Sequence, residues 1–238
     1  MSVRAVFFDV DFTLIFPGPT FRGEGYRAFC HRYDIAVDES RFDRAVAAAA
    51  PLLEAPGDVY DAEVFVRYTS RIIEGMGGGG PRLDACAREI YDEWAGCHHF
   101  ELYEDVPAVL EDLASAGVRI GLISNSHRCL ASFQSHFELE GLIAGAISSP
   151  EHGLMKPHPG IFQAAMRLID AQPGESVMVG DSLKQDIEGA LRAGMGALLL
   201  YRGDREHPDE GELTERGVGM IRSLRELPGA LSAFRRRA

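Results

Sequence analysis

Lysine is nearly missing from this sequence: of 24 basic side chains only Lys156 and Lys184 are lysines, and the rest are arginines. A chain that so strongly prefers guanidinium makes each remaining ammonium a candidate for a specific task. Cysteine is sparse as well. Cys30, Cys86, Cys97 and Cys129 form no Cys-x-x-Cys pair and no dense framework, which reads as free thiols in a reducing, cytoplasmic setting. No apolar run approaches the roughly 18 residues of a membrane span. The start, Met-Ser-Val-Arg-Ala, reaches an acid at Asp9 and does not read as a signal peptide. An excess of basic charge is lacking too: 36 acids against 24 bases give a net charge of −12, which argues against a protein that tracks a nucleic-acid backbone, since that needs a basic face. The glycine run Gly77–Gly80 continues into Pro81-Arg82, not Lys-Ser/Thr, so it is an inter-helix loop and not a phosphate-binding loop.

What remains is an ordinary folded composition over 238 residues, with 46% hydrophobic and 25% charged side chains. Short apolar runs recur at Val3–Phe8, Val118–Ile123, Ala144–Ile147, Val177–Gly180 and Ala197–Tyr201, with a weaker one at Val218–Ile221. Between them lie amphipathic stretches at Asp105–Ala116, His127–Phe137, Pro159–Asp170, Ser182–Ala193 and Ser223–Phe234. All-apolar strands alternating with helices predict an α/β fold, a doubly wound, Rossmann-like parallel sheet. Between Thr13 and Val118 the chain is far longer than the dozen or so residues a crossover needs. This interval reads as helical throughout, with helices near Phe21–Tyr33, Glu39–Ala49, Val59–Glu74 and Pro81–Ala95, and breaks at 17–19, 55–57 and 77–80. The predicted organisation is a core of residues 1–16 and 100–238 and an inserted helical domain of residues 17–99. The two connections run side by side as a hinge pair. Residues 202–217 read as a solvated loop with a short helical piece.

Ligands of an open parallel sheet bind beyond the carboxyl ends of its strands. After the first strand come Asp9-Val10-Asp11-Phe12-Thr13, after the second Ser124-Asn125, and past the third Lys156 in Met-Lys-Pro-His-Pro. Gly180-Asp181-Ser182 follows the fourth, with Asp186 five residues beyond Asp181. Two carboxylates about 5 Å apart repel by roughly 3 kcal/mol at an effective dielectric of 20. A third acid therefore requires a cation, and hard carboxylate oxygens without cysteine or histidine suit Mg²⁺. Lys156 and the Ser124 hydroxyl would hold the remaining oxygens of a phosphoryl group.

The ordered set Asp-Val-Asp-Phe-Thr, Ser-Asn, Lys and Gly-Asp-Ser-Leu-Lys-Gln-Asp resembles the haloacid dehalogenase superfamily of aspartate-nucleophile hydrolases. It resembles the subgroup with a helical cap inserted after the first strand. The resemblance covers the whole chain in order and spacing. It implies that Asp9 is the nucleophile and Asp11 the general acid/base. It also implies that Thr13, Ser124, Asn125 and Lys156 bind the substrate. Mg²⁺ would be held by Asp9, Asp181 and the Asp11 backbone carbonyl, with Asp186 direct or through water. One position departs: the family commonly carries glycine where this chain has Phe12, which bears on the loop's backbone and the room beside Asp9.

The activity implied is a Mg²⁺-dependent phosphatase of a small phosphorylated metabolite, working through an aspartyl-phosphate as a monomer or homodimer without a nucleic-acid or membrane partner. A 2-haloacid dehalogenase on the same fold would leave Asp11 idle, because a departing halide needs no proton. A phosphomutase would use the same core, and a non-enzymatic phospho-aspartate switch would use the same acids and lysine. Several bland readings stand beside these. Ser124-Asn125 and Ser182 are good helix caps. Arg22, Arg27, Arg67 and Arg71 fit solvated helix faces, and Ile90, Tyr91 and Trp94 fit a helical core. His98-His99 after Cys97 finds no further ligand at metal-site spacing and reads as a hinge or surface pair.

Overall fold

The computed structural model describes residues 3–54, 57–203, 207 and 210–234. Eight strands form: β1 (Ala5–Phe8), β2 (Ile15–Pro17), β3 (Phe100–Leu102), β4 (Arg119–Ser124), β5 (Ile143–Ser148), β6 (Ser176–Gly180), β7 (Gly196–Leu200) and β8 (Gly219–Ile221). Six of them make one parallel sheet in the order β5-β4-β1-β6-β7-β8, with Phe8 in register with Leu122 on one side and Val179 on the other. Every predicted apolar run lies in this sheet, within two residues at either end. β1 and β6 are buried along their whole length because helices flank the sheet, which is why their sequences show no alternation. Phe7, Ile123, Phe162, Met178, Ile187 and Leu199 fill one core cluster. Each such side chain contributes about 1.5–3 kcal/mol by leaving water.

The chain divides into two compact units, Met1–Phe16 with Leu102–Ala238, and Pro17–Glu101. The second contains helices Gly23–Arg32, Phe42–Ala49, Pro51–Glu54, Ala62–Gly75 and Leu83–Glu93. Asp61 starts the fourth of these by accepting the Glu63 N–H at 3.0 Å. Its core includes Phe29, Ile72, Ile73, Met76 and Ile90, with the buried thiols of Cys30 and Cys86 4.0 Å apart. All four cysteines are free thiols. Tyr91 bonds the Tyr60 hydroxyl and Trp94 packs on Phe21 and Phe100. Arg22 is exposed, and Arg27, Arg67 and Arg71 make exposed ion pairs with Glu39, Asp61 and Glu74.

The interval is not helical throughout. Its ends, Ile15-Phe16-Pro17 and Phe100-Glu101-Leu102, are short, β-prone segments that pair as a two-stranded ribbon, and the Gly18 N–H donates to the His99 carbonyl at 2.8 Å. Two helix starts also differ from expectation. The helix after β4 begins at Leu130, so Ser124 and Asn125 do not cap it. Leu183–Glu188 winds as a π-helix before the α-turn Gly189–Arg192, with the Ile187 N–H donating to the Ser182 carbonyl at 3.2 Å. Of the predicted break at 55–57, Ala55 and Pro56 lie outside the described residues, as do 204–206 and 208–209 of the predicted loop. Glu210–Glu215 of that loop is helical. No helix among the described residues is long and apolar enough to cross a membrane.

Candidate active site

β1 lies between β4 and β6, where the order of strands along the sheet reverses, and the crevice at such a point receives ligands. Asp9 leaves the end of β1 with its N–H bonded to the Val179 carbonyl at 3.0 Å, so the sheet itself fixes its backbone. Lys156 is 1% exposed, and its Nζ donates to Asp9 Oδ1 at 2.5 Å and to Asp186 Oδ1 at 2.7 Å. Asn125 braces that lysine: its Oδ1 accepts the Lys156 N–H at 2.8 Å, and its Nδ2 donates to the Lys156 carbonyl at 3.0 Å and to Gln185 Oε1 at 3.2 Å. Expected at the substrate, Asn125 thus has its amide engaged with protein on both ends.

The π-turn explains how Asp186 reaches the cluster. The wider winding turns its carboxylate back toward β6, where Oδ2 accepts the Ser182 N–H at 3.0 Å. Gly180 is what makes room, since a Cβ there would overlap Asp186 Oδ2. Carboxylate oxygens of Asp9, Asp181 and Asp186 lie within 4.8 Å of one another. Three hard oxygen donors gathered this closely fit Mg²⁺, which binds through a few carboxylates plus water and substrate oxygens. Thr13 is fully buried, with its hydroxyl 3.5 Å from Asp181 Oδ1, a long contact. Ser124 is buried, and its Oγ accepts the Ser126 N–H at 3.1 Å, leaving its own proton to be donated.

Asp11 has a partner that pattern reading did not single out. Arg128, 1% exposed, donates from Nη2 to Asp11 Oδ1 at 2.9 Å. Between Asp9 and that pair the chain makes a tight turn in which Leu14 and Ile15 both donate to the Val10 carbonyl, at 2.9 and 3.1 Å. Phe12 sits in it at φ +64°, the left-handed region that favours glycine. Phe12 thus holds a backbone that glycine adopts without strain, and its residue is 45% exposed.

The electrostatics follow from burial and crowding. Burial pushes the Asp11 carboxyl up, Arg128 opposes this, and Asp9 adds to it. Removal from water, reinforced by Asp9 and Asp186, holds Asp181 well above the ordinary carboxylate value, although solvent still reaches it at the mouth of the site. Asp186 is pushed up to about 6 by burial, against the pull of Lys156. Burial alone would depress Lys156, but Asp186 and Asp9 outweigh it and keep the ammonium charged. The site therefore holds one buried ammonium among three acids.

Arg128 and Gln185 are the residues missed by sequence reading. Arg128 stands four residues past Ser124 in a chain where arginine is the default base, so nothing marked it. Gln185 was visible only as a member of the Gly-Asp-Ser-Leu-Lys-Gln-Asp motif, behind the helix cap Ser182. Ser182 Oγ does accept the Gln185 N–H at 3.2 Å, but the glutamine side chain turns to Asn125.

Comparison with known proteins identifies relatives of this chain and of its fold. A family model described as haloacid dehalogenase-like hydrolase matches residues 3–194. N-acylneuraminate-9-phosphatase of Rattus norvegicus is 31% identical, over 98% of this chain and 95% of that protein. Glyceraldehyde 3-phosphate phosphatase of Methanothermobacter thermautotrophicus is 33% identical, over 94% and 99%. A magnesium-bound HAD-hydrolase structure from Bacillus subtilis shares the fold, with a TM-score of 0.72 at 18% identity over 98% and 100% of the two chains. With most of its length matched by the family model, and relatives above 30% identity covered nearly end to end, this chain belongs to the haloacid dehalogenase-like hydrolases.

Proposed function

We propose that this hydrolase is a Mg²⁺-dependent phosphatase acting on a small phosphorylated metabolite, with Asp9 as nucleophile, Asp11 as acid and base, and the Pro17–Glu101 unit as its cap. The observation that carries this reading is the contact of Lys156 with both Asp9 and Asp186 beside Asp181. Asp9, Asp181, the Asp11 carbonyl and Asp186 are the groups that would hold the metal. When bound, Mg²⁺ supplies positive charge against the phosphoryl oxygens as electron density builds on them.

In the first half-reaction the Asp9 carboxylate attacks phosphorus in line, an O–P bond forms, and the bond to the alcohol oxygen breaks. Asp11 gives its proton to the leaving oxygen, a role supported by a carboxyl whose burial favours the protonated form. Lys156 turns from pairing acids to pairing phosphoryl oxygens, and the Ser124 hydroxyl donates to another. In the second half-reaction Asp11 takes a proton from the water that attacks the aspartyl-phosphate, releasing phosphate and restoring Asp9. Asn125 and Gln185 keep the Lys156 loop in place. Uncatalysed phosphate monoester hydrolysis requires accelerations up to about 10²¹, of which acid–base help supplies roughly 10²–10⁴. Fixed charge and positioning carry the remainder.

Steady-state turnover of a generic aryl phosphate with and without Mg²⁺ tests the proposal, followed by a panel that includes acylneuraminate 9-phosphate and glyceraldehyde 3-phosphate. Asp9→Asn abolishes turnover with the fold kept, and Asp11→Asn forms the phosphoryl adduct but releases it slowly. Wild-type rates in Asp9→Asn refute the nucleophile assignment. A single stoichiometric, long-lived adduct in the wild type refutes the hydrolase in favour of a phospho-aspartate switch.

A further inference from the structure

Glu93 ends the helix Leu83–Glu93, and four residues later the 3-10 turn Cys97–His99 carries two adjacent histidines. Spacing alone offers that pair no further ligand, whereas the fold brings Glu93 back against it. His99 Nε2 is 3.0 Å from Glu93 Oε2, and the two imidazole rings lie 3.9 Å apart between centroids at 42°. One nitrogen from each histidine and one Glu93 oxygen all fall within 4.8 Å of one another.

Three features go beyond a surface hydrogen bond. First, His99 is held from both sides. Its ring meets the Phe21 edge at 5.4 Å, its carbonyl accepts the Gly18 N–H at 2.8 Å, and its side chain is only 17% exposed. Second, Gly96 has φ −71° and ψ 110°, a conformation open to any residue. A Cβ there would nevertheless come within 2.9 Å of His98 Cε1, 3.2 Å of its Nδ1 and 3.2 Å of the Glu93 carbonyl oxygen, so glycine lets both the imidazole and the turn close in. Third, Glu93 and His99 border a cavity of about 360 Å³ shared with Thr20, Phe29 and Arg32, which leaves space for a non-protein ligand.

We infer that Glu93, His98 and His99 form a binding site for a divalent transition cation of the Zn²⁺ type, separate from the carboxylate cluster of the other unit. Two imidazoles and one carboxylate are borderline donors that favour Zn²⁺, Co²⁺ or Ni²⁺ over Mg²⁺, while the all-oxygen cluster has the opposite preference. Bond lengths of about 2.0–2.2 Å place tetrahedral ligand atoms roughly 3.4 Å apart. Glu93 and His99 already stand near that separation, and the exposed His98 ring closes on them by rotation. Three protein ligands leave a fourth position for water or an anion from the cavity. The bound ion would tie the end of helix Leu83–Glu93 to the Cys97–His99 turn.

The test uses the full chain in excess Mg²⁺, which keeps the carboxylate cluster occupied. Zn²⁺ retention is measured by equilibrium dialysis, and Co²⁺ is used as a spectroscopic probe of tetrahedral nitrogen and oxygen ligation. Wild type is expected to retain one Zn²⁺ per chain, with at least ten-fold weaker binding in His98→Ala and in Glu93→Gln and an intermediate loss in Gly96→Ala. Because His98 is exposed, its variant is expected to fold, and circular dichroism with Mg²⁺-supported activity in the absence of Zn²⁺ verifies this. Equal Zn²⁺ retention in wild type, His98→Ala and Glu93→Gln overturns the inference. So does a wild type whose Zn²⁺ is displaced entirely by Mg²⁺, and neither outcome bears on the phosphatase assignment.

Discussion

The guanidinium of Arg128 meets Asp11 across 117 residues of sequence, its Nη2 2.9 Å from Oδ1, with only 1% of the arginine side chain and 16% of the aspartate side chain exposed. The pair does two things at once. It aims the carboxylate, and it partly offsets the burial that raises it.

Arg128→Met keeps the volume and removes the charge. Leaving one member of a buried pair without the other costs about 3 kcal/mol or more, read as a shift in urea midpoint. The expected kinetic effect is at least a ten-fold loss in kcat with KM little changed, because the arginine acts through Asp11. Arg128→Lys restores charge without the planar fork and should recover only part of the rate. A methionine variant with wild-type kcat would sink this role.

A second prediction concerns pH and metal. Asp186 is raised to about 6 and Asp181 is raised as well, so the metal-free fold keeps each protonated to higher pH than the unfolded chain does. The contribution of Asp186 to stability is full below the ordinary value near 3.8 and is lost as pH rises through about 6. Metal binding needs the ionised forms, so its sign is opposite. Stabilisation by Mg²⁺, read as a rise in Tm, should be large at pH 7.5 and small at pH 5, reaching about 2.7 kcal/mol at a hundred times Kd. Calorimetry with and without Mg²⁺ at the two pH values decides it, and a pH-independent Mg²⁺ shift would contradict the crowding of the acids.

Gly180→Ala tests how Asp186 is seated. The added methyl occupies the space of the carboxylate and forces it away from Lys156. The expected cost is about 1–3 kcal/mol in stability from overpacking, with at least a ten-fold weaker Mg²⁺ requirement constant. Unchanged Mg²⁺ dependence would show that Asp186 can leave without consequence.

Phe12 offers a comparison of side chains at one backbone angle. Its φ of +64° costs an L-residue about 1–2 kcal/mol, and glycine removes that strain while adding a similar entropy to the unfolded chain. Phe12→Gly should therefore lie within about 1 kcal/mol of wild type and stay active. Phe12→Val, branched at Cβ, should lose roughly 1–2 kcal/mol more than the glycine variant. Thermal melts of the pair check the ordering, and equal stability would contradict the strained turn.

What the sequence made legible was set by burial. β1 and β6 are apolar on both faces, so their ends, and the acids Asp9 and Asp181 that follow, could be located from pattern alone. Asp186 and Asn125 were singled out for the site, but the contacts that hold them were not legible. The turn of one depends on a π-winding that no local propensity announces, and the bracing by the other depends on a loop 31 residues away. Arg128 was hidden by composition, since a chain rich in arginine gives no reason to choose one. The β2–β3 ribbon was read as two connections running side by side and not as strands, because three-residue strands leave too short a period to register.

That ribbon has a further consequence. Because the chain departs along Ile15–Pro17 and returns along Phe100–Leu102, with Gly18 and His99 already hydrogen-bonded, the two ends of the excursion are neighbours. A detour that leaves and re-enters at one doorstep can lengthen, shrink or be traded for another without disturbing the sheet that hosts it. The inserted unit can thus be exchanged through one pair of adjacent ends while the parallel sheet is inherited intact.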